Sequence, residues 1–367
     1  MTDTIFVPSF GNRPRILVGR EDILRQFELC LDSIPGSRER AVLLLGQRGY
    51  GKTVLLLELA ERGKKHDCVV ASPTIAASGM LSRILEKLRE DGSAYLSKQK
   101  AKLAGGSVGV LGFSAGMQFQ DEAPVEQSFA AQLSAICREL NAKGKSVLIL
   151  IDEVQANHEE LRQLIISYQE LVGEGRDIAL VLAGLPAAIS STLNDHVLTF
   201  LNRASRLTLT PLRIGDVDMY YQNAFRELGI SLQKTDRQDL AEATNGSPYL
   251  MQLLGHYITV SADADGQLTV DRILSAKNRA LTDYRRDICE TTLAPLSDAD
   301  VAFLTAMAED EKESEPAALA GRMGVTSSYI QTYKRRLLQT GIIEQPARGK
   351  LRFAVPYLRH YLAEQNS

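Results

Sequence analysis

Gly46-Gln47-Arg48-Gly49-Tyr50-Gly51-Lys52-Thr53 fits the phosphate-binding loop pattern G-x-x-x-x-G-K-[ST]. The apolar run Ala41-Val42-Leu43-Leu44-Leu45 precedes it and reads as a buried strand. Val54-Leu55-Leu56-Leu57-Glu58-Leu59-Ala60 follows and reads as a helix opening at Val54. A loop between strand and helix turns successive backbone N–H groups toward one point, where the helix N-terminus adds partial positive charge. Gly46, Gly49 and Gly51 let the main chain approach phosphate without a Cβ in the way, with Gln47, Arg48 and Tyr50 filling the loop. Lys52 is expected to bridge the β- and γ-phosphates, and the Thr53 hydroxyl to ligate Mg²⁺. The motif therefore predicts a nucleoside triphosphate as ligand.

Outward from the loop, residues 41 to about 210 alternate apolar strands with longer amphipathic stretches, as in a parallel sheet covered by helices. Strands are expected at 41–45, 68–72, 147–151, 178–183 and 206–209. The run Ser146-Val147-Leu148-Ile149-Leu150-Ile151-Asp152-Glu153 ends an apolar strand in two carboxylates, about a hundred residues after the loop. In that position Asp152 is expected to support the metal and Glu153 to polarise an attacking water. Between the second and third strands, glycine spacing and alternation over 105–119 predict an inserted β-hairpin, either a functional arm or a decoration.

Length and composition bound the rest. A chain of 367 residues with 44% apolar content provides cores for two or three units, without an internal repeat or low-complexity tract. The net charge of −3 leaves attraction to nucleic acid to a local patch. Cys30, Cys68, Cys137 and Cys289 are far apart and form no C-x-x-C pair, which argues against a zinc site or disulfide framework. The N-terminus lacks the pattern of a secretory signal, and no stretch approaches about 18 uninterrupted apolar residues. A soluble, cytoplasmic protein without a membrane partner is expected.

After Pro211 the texture becomes helical to about Cys289, and the capping pattern at Leu296-Ser297-Asp298-Ala299-Asp300 opens a third unit. From Ser297 onward the expected order is helix, helix, turn at Gly324, helix, hairpin, helix. The segment 309–315 is an acidic run expected to be a solvated loop. Within 329–339, Ile330, Tyr333 and Leu337 share one face and are expected in the core. Ser328, Gln331, Thr332, Arg335 and Arg336 face the other way, with Arg348 and Lys350 at the hairpin tip. From Glu315 onward eight basic residues stand against three acidic ones. That excess suits double-stranded DNA in a major groove, with a salt slope of about −4.5 if roughly five phosphates are neutralised. A protein-docking module is the other reading of the same segment.

With Leu17-Val18-Gly19-Arg20-Glu21 ahead of the first strand, these motifs resemble the AAA+ and STAND branch of phosphate-loop ATPases. The particular similarity is to origin-recognition-like ATPases and bacterial ATP-binding proteins of the same layout. The resemblance implies an ATPase core over 1–211, a helical lid over 212–292 and a winged helix-turn-helix over 293–367. It implies ATP and Mg²⁺, with Val18 and Gly19 beside the base. Gly246-Ser247-Pro248-Tyr249 resembles the lid signature that packs Pro248 near the nucleotide. Asn202-Arg203-Ala204-Ser205-Arg206 lies where such proteins carry an arginine finger, which makes Arg203 the candidate, either a finger completing a neighbour's site in a homo-oligomer or a structural arginine. Ala183 and Gly184 replace the usual polar sensor, and the lid lacks a second sensor arginine, which implies slow turnover and a switch rather than a motor. A nucleotide-gated switch docking a protein partner is the alternative function.

Overall fold

The five apolar segments pair as β1 (Ala41–Leu45), β2 (Cys68–Ile75), β3 (Ser146–Val154), β4 (Ile178–Gly184) and β5 (Ser205–Thr208). All pairings are parallel, and the strand order is β2-β3-β4-β1-β5. This computed structural model describes residues 5–8, 14–97, 128–155, 158–193 and 198–365. The hairpin expected at 105–119 lies outside the described residues.

Strands buried on both faces need apolar residues in both phases of the pleat. Alternate residues serve two layers accordingly. Leu43, Val147, Ile149, Leu180 and Leu182 pack under α3 (Met80–Asp91), α4 (Phe129–Asn141) and α5 (Glu159–Gly173). Val42, Leu44, Leu148, Leu150 and Val181 pack under α1 (Glu21–Leu31) and α2 (Lys52–Lys65). The helix α6 (Pro186–Leu193) follows β4. The strand β2 runs three residues beyond the expected 72, and β3 continues past Ile151 through both carboxylates. Sequence periodicity stops at the first polar residue, whereas ladder pairing does not.

From 212 to 292 the described residues form α7 (Ile214–Glu227), α8 (Lys234–Ala243), α9 (Pro248–Ser261) and α10 (Val270–Tyr284). The last continues through a π-helical stretch, Arg285–Glu290, into α11 (Thr291–Leu293). The C-terminal segment folds as α12 (Asp298–Ala308), α13 (Pro316–Met323), α14 (Ser327–Gln339), an antiparallel pair β6 (Ile343–Ala347) and β7 (Lys350–Phe353), and α15 (Leu358–Gln365). Gly324 ends α13 in the left-handed region at φ 63°, which favours a residue without Cβ. Ser297 caps α12, and Asp300 reaches back to the Ser297 N–H, completing a capping box.

The helical segment and the C-terminal segment share one apolar cluster, running from Tyr221 and Leu254 through Tyr284 to Phe303, Ile330 and Leu358. Tyr357 stitches it by donating its hydroxyl to the Ala243 carbonyl at 2.6 Å. The acidic run at 309–315 is not simply solvated. Arg322 pairs with Glu309 and Asp310, Lys350 pairs with Glu315, and Ser314 bridges to Leu351. No helix among the described residues is long and apolar enough to cross a membrane.

Candidate nucleotide-binding site

Parallel pairing aligns the C-terminal ends of the strands along one rim. Leu45 of β1 and Val154 of β3 are both level with Gly184 of β4, and the Gly46 N–H donates to the Gly184 carbonyl at 3.3 Å. The loop after β1 and the carboxylates of β3 therefore flank a strand end that carries no side-chain polar group. Such rims, outside the carboxyl ends of strands, are where open α/β sheets hold ligands. A cleft of about 1010 Å³ opens there, lined by 48–54, Asp152, Glu153 and Val18 from the sheet side. Pro248, Tyr249, Met251 and Gln252 line it from α9, and Gln339 and Thr340 from the end of α14.

Helix α2 begins at Lys52 itself, two residues earlier than the apolar periodicity predicts, because a polar loop end leaves no hydrophobic signal. Gly49 and Gly51 sit at φ 76° and 82°, conformations that turn the loop back on itself. A Cβ on Gly46 would meet Leu209 Cβ at 2.9 Å. Lys52 Nζ donates to the Gly46 and Gln47 carbonyls at 2.8 and 2.9 Å. Burial lowers its pKa to about 8, against the pull of Asp152, with Arg48 adding to the depression.

Thr53 Oγ1 donates to Asp152 Oδ2 at 2.6 Å, and Asp152 Oδ1 accepts from the Glu153 N–H at 2.9 Å. Asp152 is 4% exposed, while Glu153 is exposed to the cleft. The β3–β4 register shifts between Ile151 and Val154, and Glu153 holds φ 53°. A bulge with a left-handed residue re-aims one side chain out of the strand's alternation, so adjacent carboxylates face different surroundings. The hydroxyl–carboxylate pair fits a hard divalent cation, since both groups present oxygen donors beside the phosphate loop. Among the described residues no group of three or more His, Cys, Asp or Glu is placed to hold a metal alone. The four cysteines are buried and unbridged, and burial pushes Cys68 up to about 11 and Cys137 and Cys289 up to about 12.

The helical segment contributes Gly246 at φ 70°, where a Cβ would meet Pro211 Cβ at 2.7 Å. Its carbonyl accepts from the Leu212 N–H at 2.9 Å. Ser247 caps α9, and the Pro248 ring stands 3.9 Å from where a Gly51 Cβ would be. Val18 is buried against the cleft; Gly19, Gly46 and Gln47 do not line it. Arg203 ends a short 3-10 turn, Thr199–Arg203, exposed and away from the cleft.

Two positioning groups escaped the sequence reading. Arg20, 6% exposed, donates to the Tyr50 carbonyl at 3.3 Å and the Thr210 carbonyl at 2.9 Å, tying the loop to the end of β5. Residues 5–8 form a strap whose Phe6 packs beside Tyr220, Tyr221 and Phe225. A buried arginine on main-chain carbonyls has no sequence motif beyond the V-G-R-E string, and the strap has none.

On the C-terminal segment, Ser328, Gln331, Thr332 and Arg335 are exposed along α14, with Arg348 exposed on the hairpin. Arg336 instead donates its Nε to Asp300 Oδ1 at 2.8 Å and stacks over Tyr333 at 4.8 Å. Lys350 pairs with Glu315 at 2.7 Å and Arg352 with Glu344. Over 297–367 nine acidic residues match nine basic ones, because the excess counted from Glu315 leaves out the acids of α12 and the following run.

Residues 16–182 match the model of the AAA ATPase domain, and residues 286–362 match a domain of unknown function (DUF8462). None of the curated proteins compared matches this sequence. Among solved structures, the Walker-type ATPase PABY2304 of Pyrococcus abyssi superposes with a TM-score of 0.68 at 16% identity, covering 96% of this chain and 97% of its own. The Aeropyrum pernix ORC2 protein, in its ADPNP–ADP complexes, gives 0.62 at 15% identity, with 98% of each chain covered. Cdc6p from Pyrobaculum aerophilum gives 0.52 at 16% identity, with 99% of each covered. With its phosphate loop, five parallel strands and AAA ATPase domain match, this chain carries an AAA-type ATPase domain over residues 16–182 and has the fold of the origin-recognition-like ATPases.

Proposed function

We propose that this protein binds ATP with Mg²⁺ in the cleft, hydrolyses it slowly, and uses the nucleotide state to set how a C-terminal winged helix is presented in the cytoplasm. The observation that carries the reading is the set Lys52, Thr53 and Asp152 gathered at the rim, with Thr53 Oγ1 2.6 Å from Asp152 Oδ2. Loop amides from 48 to 53 hold the phosphates, and Lys52 leaves its two carbonyl partners for the β- and γ-oxygens. Val18 flanks the base, and Pro248 closes over the nucleotide from the lid. Thr53 and Asp152 hold Mg²⁺, which when bound neutralises charge on the phosphates. Glu153, exposed to the cleft, orients and deprotonates the attacking water. Arg203 points elsewhere within one chain, which suits a finger acting on a neighbouring copy.

Coupling to the C-terminal module is supported by contact at the loop itself. A Cβ on Gly341, just after α14, would lie 2.7 Å from Gln47 Oε1, a buried acceptor without a hydrogen-bond partner among the described residues. Glu344 and Arg352 of the hairpin are near enough to act on the buried Tyr50 phenol, which burial pushes above its ordinary range. Duplex DNA would meet Ser328, Gln331, Thr332 and Arg335 on α14, with Arg348 from the hairpin. A protein partner is the second reading, favoured by the internal ion pairs of Arg336, Lys350 and Arg352.

Titrating magnesium–ATP against the intact protein and Lys52→Ala tests the site: binding lost in the variant supports it, and undiminished affinity overturns it. Duplex DNA binding then separates the two readings of the module. With Arg335 and Arg348 as the phosphate contacts, a salt slope of about −1.8 is expected. Absent or salt-independent binding selects the protein partner.

A further inference from the structure

We infer that Gln252 reads the base of the bound nucleotide, its side-chain amide donating to an unprotonated ring nitrogen of a purine. The inference rests on the nucleotide reading of the same cleft and names the residue that makes the base contact. Gln252 lies one turn after Pro248 on α9, hence on the same face, and lines the cleft. The same cleft is lined by Val7, Ile16, Val18, Leu212 and Met251, apolar residues suited to packing on a flat heterocycle.

The orientation of the amide is determined by the strap. Gln252 Oε1 accepts from the Val7 N–H at 2.9 Å, and only the oxygen of an amide can accept from a backbone donor. The NH₂ group is therefore the end left over. Gln252 is 6% exposed, and its Nε2 is buried without a hydrogen-bond partner among the described residues. A desolvated donor with nothing to bond is unfavourable, and an acceptor on a ligand relieves it. The purine of adenine offers such acceptors at N1, N3 and N7, whereas ribose and phosphate groups belong at the other end of the cleft. The strap thus does two things: Phe6 anchors it in the lid, and its Val7 N–H points the Gln252 donor.

Calorimetry of ADP and of inorganic tripolyphosphate binding, at pH 8, tests this with the full chain and two variants. Gln252→Leu removes the amide. Gln252→Glu keeps the shape and the acceptor for the Val7 N–H but replaces the donor with an acceptor. Both variants are expected to bind ADP at least tenfold more weakly and tripolyphosphate within twofold of the wild type. The inference is overturned if Gln252→Glu binds ADP within twofold of the wild type, or if tripolyphosphate weakens as much as ADP does. If the unmodified protein binds neither ligand, the nucleotide reading itself falls, a result distinct from failure of the Gln252 contact alone.

Discussion

A left-handed backbone at Glu153, φ 53°, is a conformation that residues with a Cβ adopt at a penalty of about 1–3 kcal/mol. The bulge that imposes it separates the fates of two neighbouring acids: Asp152 stays in the interior with Thr53, and Glu153 turns to the cleft. Glu153→Gln is expected to keep ATP binding and to slow steady-state hydrolysis by about 10²–10⁴-fold. Equal rates for the two proteins would remove Glu153 as the base. Lys52 makes a pH prediction. Its folded pKa of about 8 lies below the 10.5 of a free lysine, so between those values the unfolded chain holds more protons. Stability of the free protein from this group therefore rises with pH across that window. Phosphate binding restores the proton, so ADP binding at pH 9 should take up close to one proton and at pH 6.5 none through Lys52. Calorimetry in buffers of different ionisation enthalpy reads the uptake directly. At this scale the loop and both carboxylates stand out as sequence patterns, and Val18 and Pro248, which the resemblance implies, line the cleft. Arg20 and Gln252 were not, because their roles lie in main-chain partners brought from positions 210 and 7.

Among the elements, α12 and α14 show how a basic helix face can be partly structural. Asp300, 2% exposed, accepts from the Ser297 N–H at 3.2 Å and Ser297 Oγ at 2.7 Å, and also holds Arg336. One carboxylate thus caps α12 and pins α14 to it. Asp300→Asn is expected to destabilise the protein by about 1–3 kcal/mol, since it leaves a guanidinium without its charge partner. Denaturant unfolding of Asp300→Asn, Arg336→Ala and the double variant measures the coupling, and additive losses would remove the pair from the account. If DNA is the partner, Arg335→Ala weakens binding without a change in stability, whereas Arg336→Ala lowers stability first. Helical spacing placed Arg335 and Arg336 together on the polar side; it carries no information about a buried acid 36 residues upstream.

For the molecule as a whole, the decisive feature is that the C-terminal segment closes over the phosphate loop. Gly341 sits at φ 67° against Gln47 and Leu185, and α14 packs on α6 just beyond the end of β4. Gly341→Ala, strained both by its φ and by the 2.7 Å approach to Gln47, is expected to lift the segment from the loop. The nucleotide dependence of partner binding should then disappear while ATP affinity changes by less than tenfold; retained dependence would show that coupling runs elsewhere. Arg203, exposed just before β5, sets a second expectation at this scale. Hydrolysis per subunit should rise with protein concentration in the wild type and stay flat in Arg203→Ala, and a flat wild-type curve would remove the finger.

Local sequence was enough for the phosphate loop, the parallel sheet, the capping box and the order of helices and hairpin after Ser297, because each depends on a few neighbouring residues. The same is true of the glycine that ends α13, whose φ of 63° needs no partner from afar. Only the tertiary structure decided which charges are spent inside the C-terminal segment, that the helical and C-terminal segments share one apolar core, and that Gly341 rests on the loop. Those outcomes depend on groups far apart in the chain meeting at hydrogen-bond distance, and neither propensity nor periodicity encodes which distant partner will arrive.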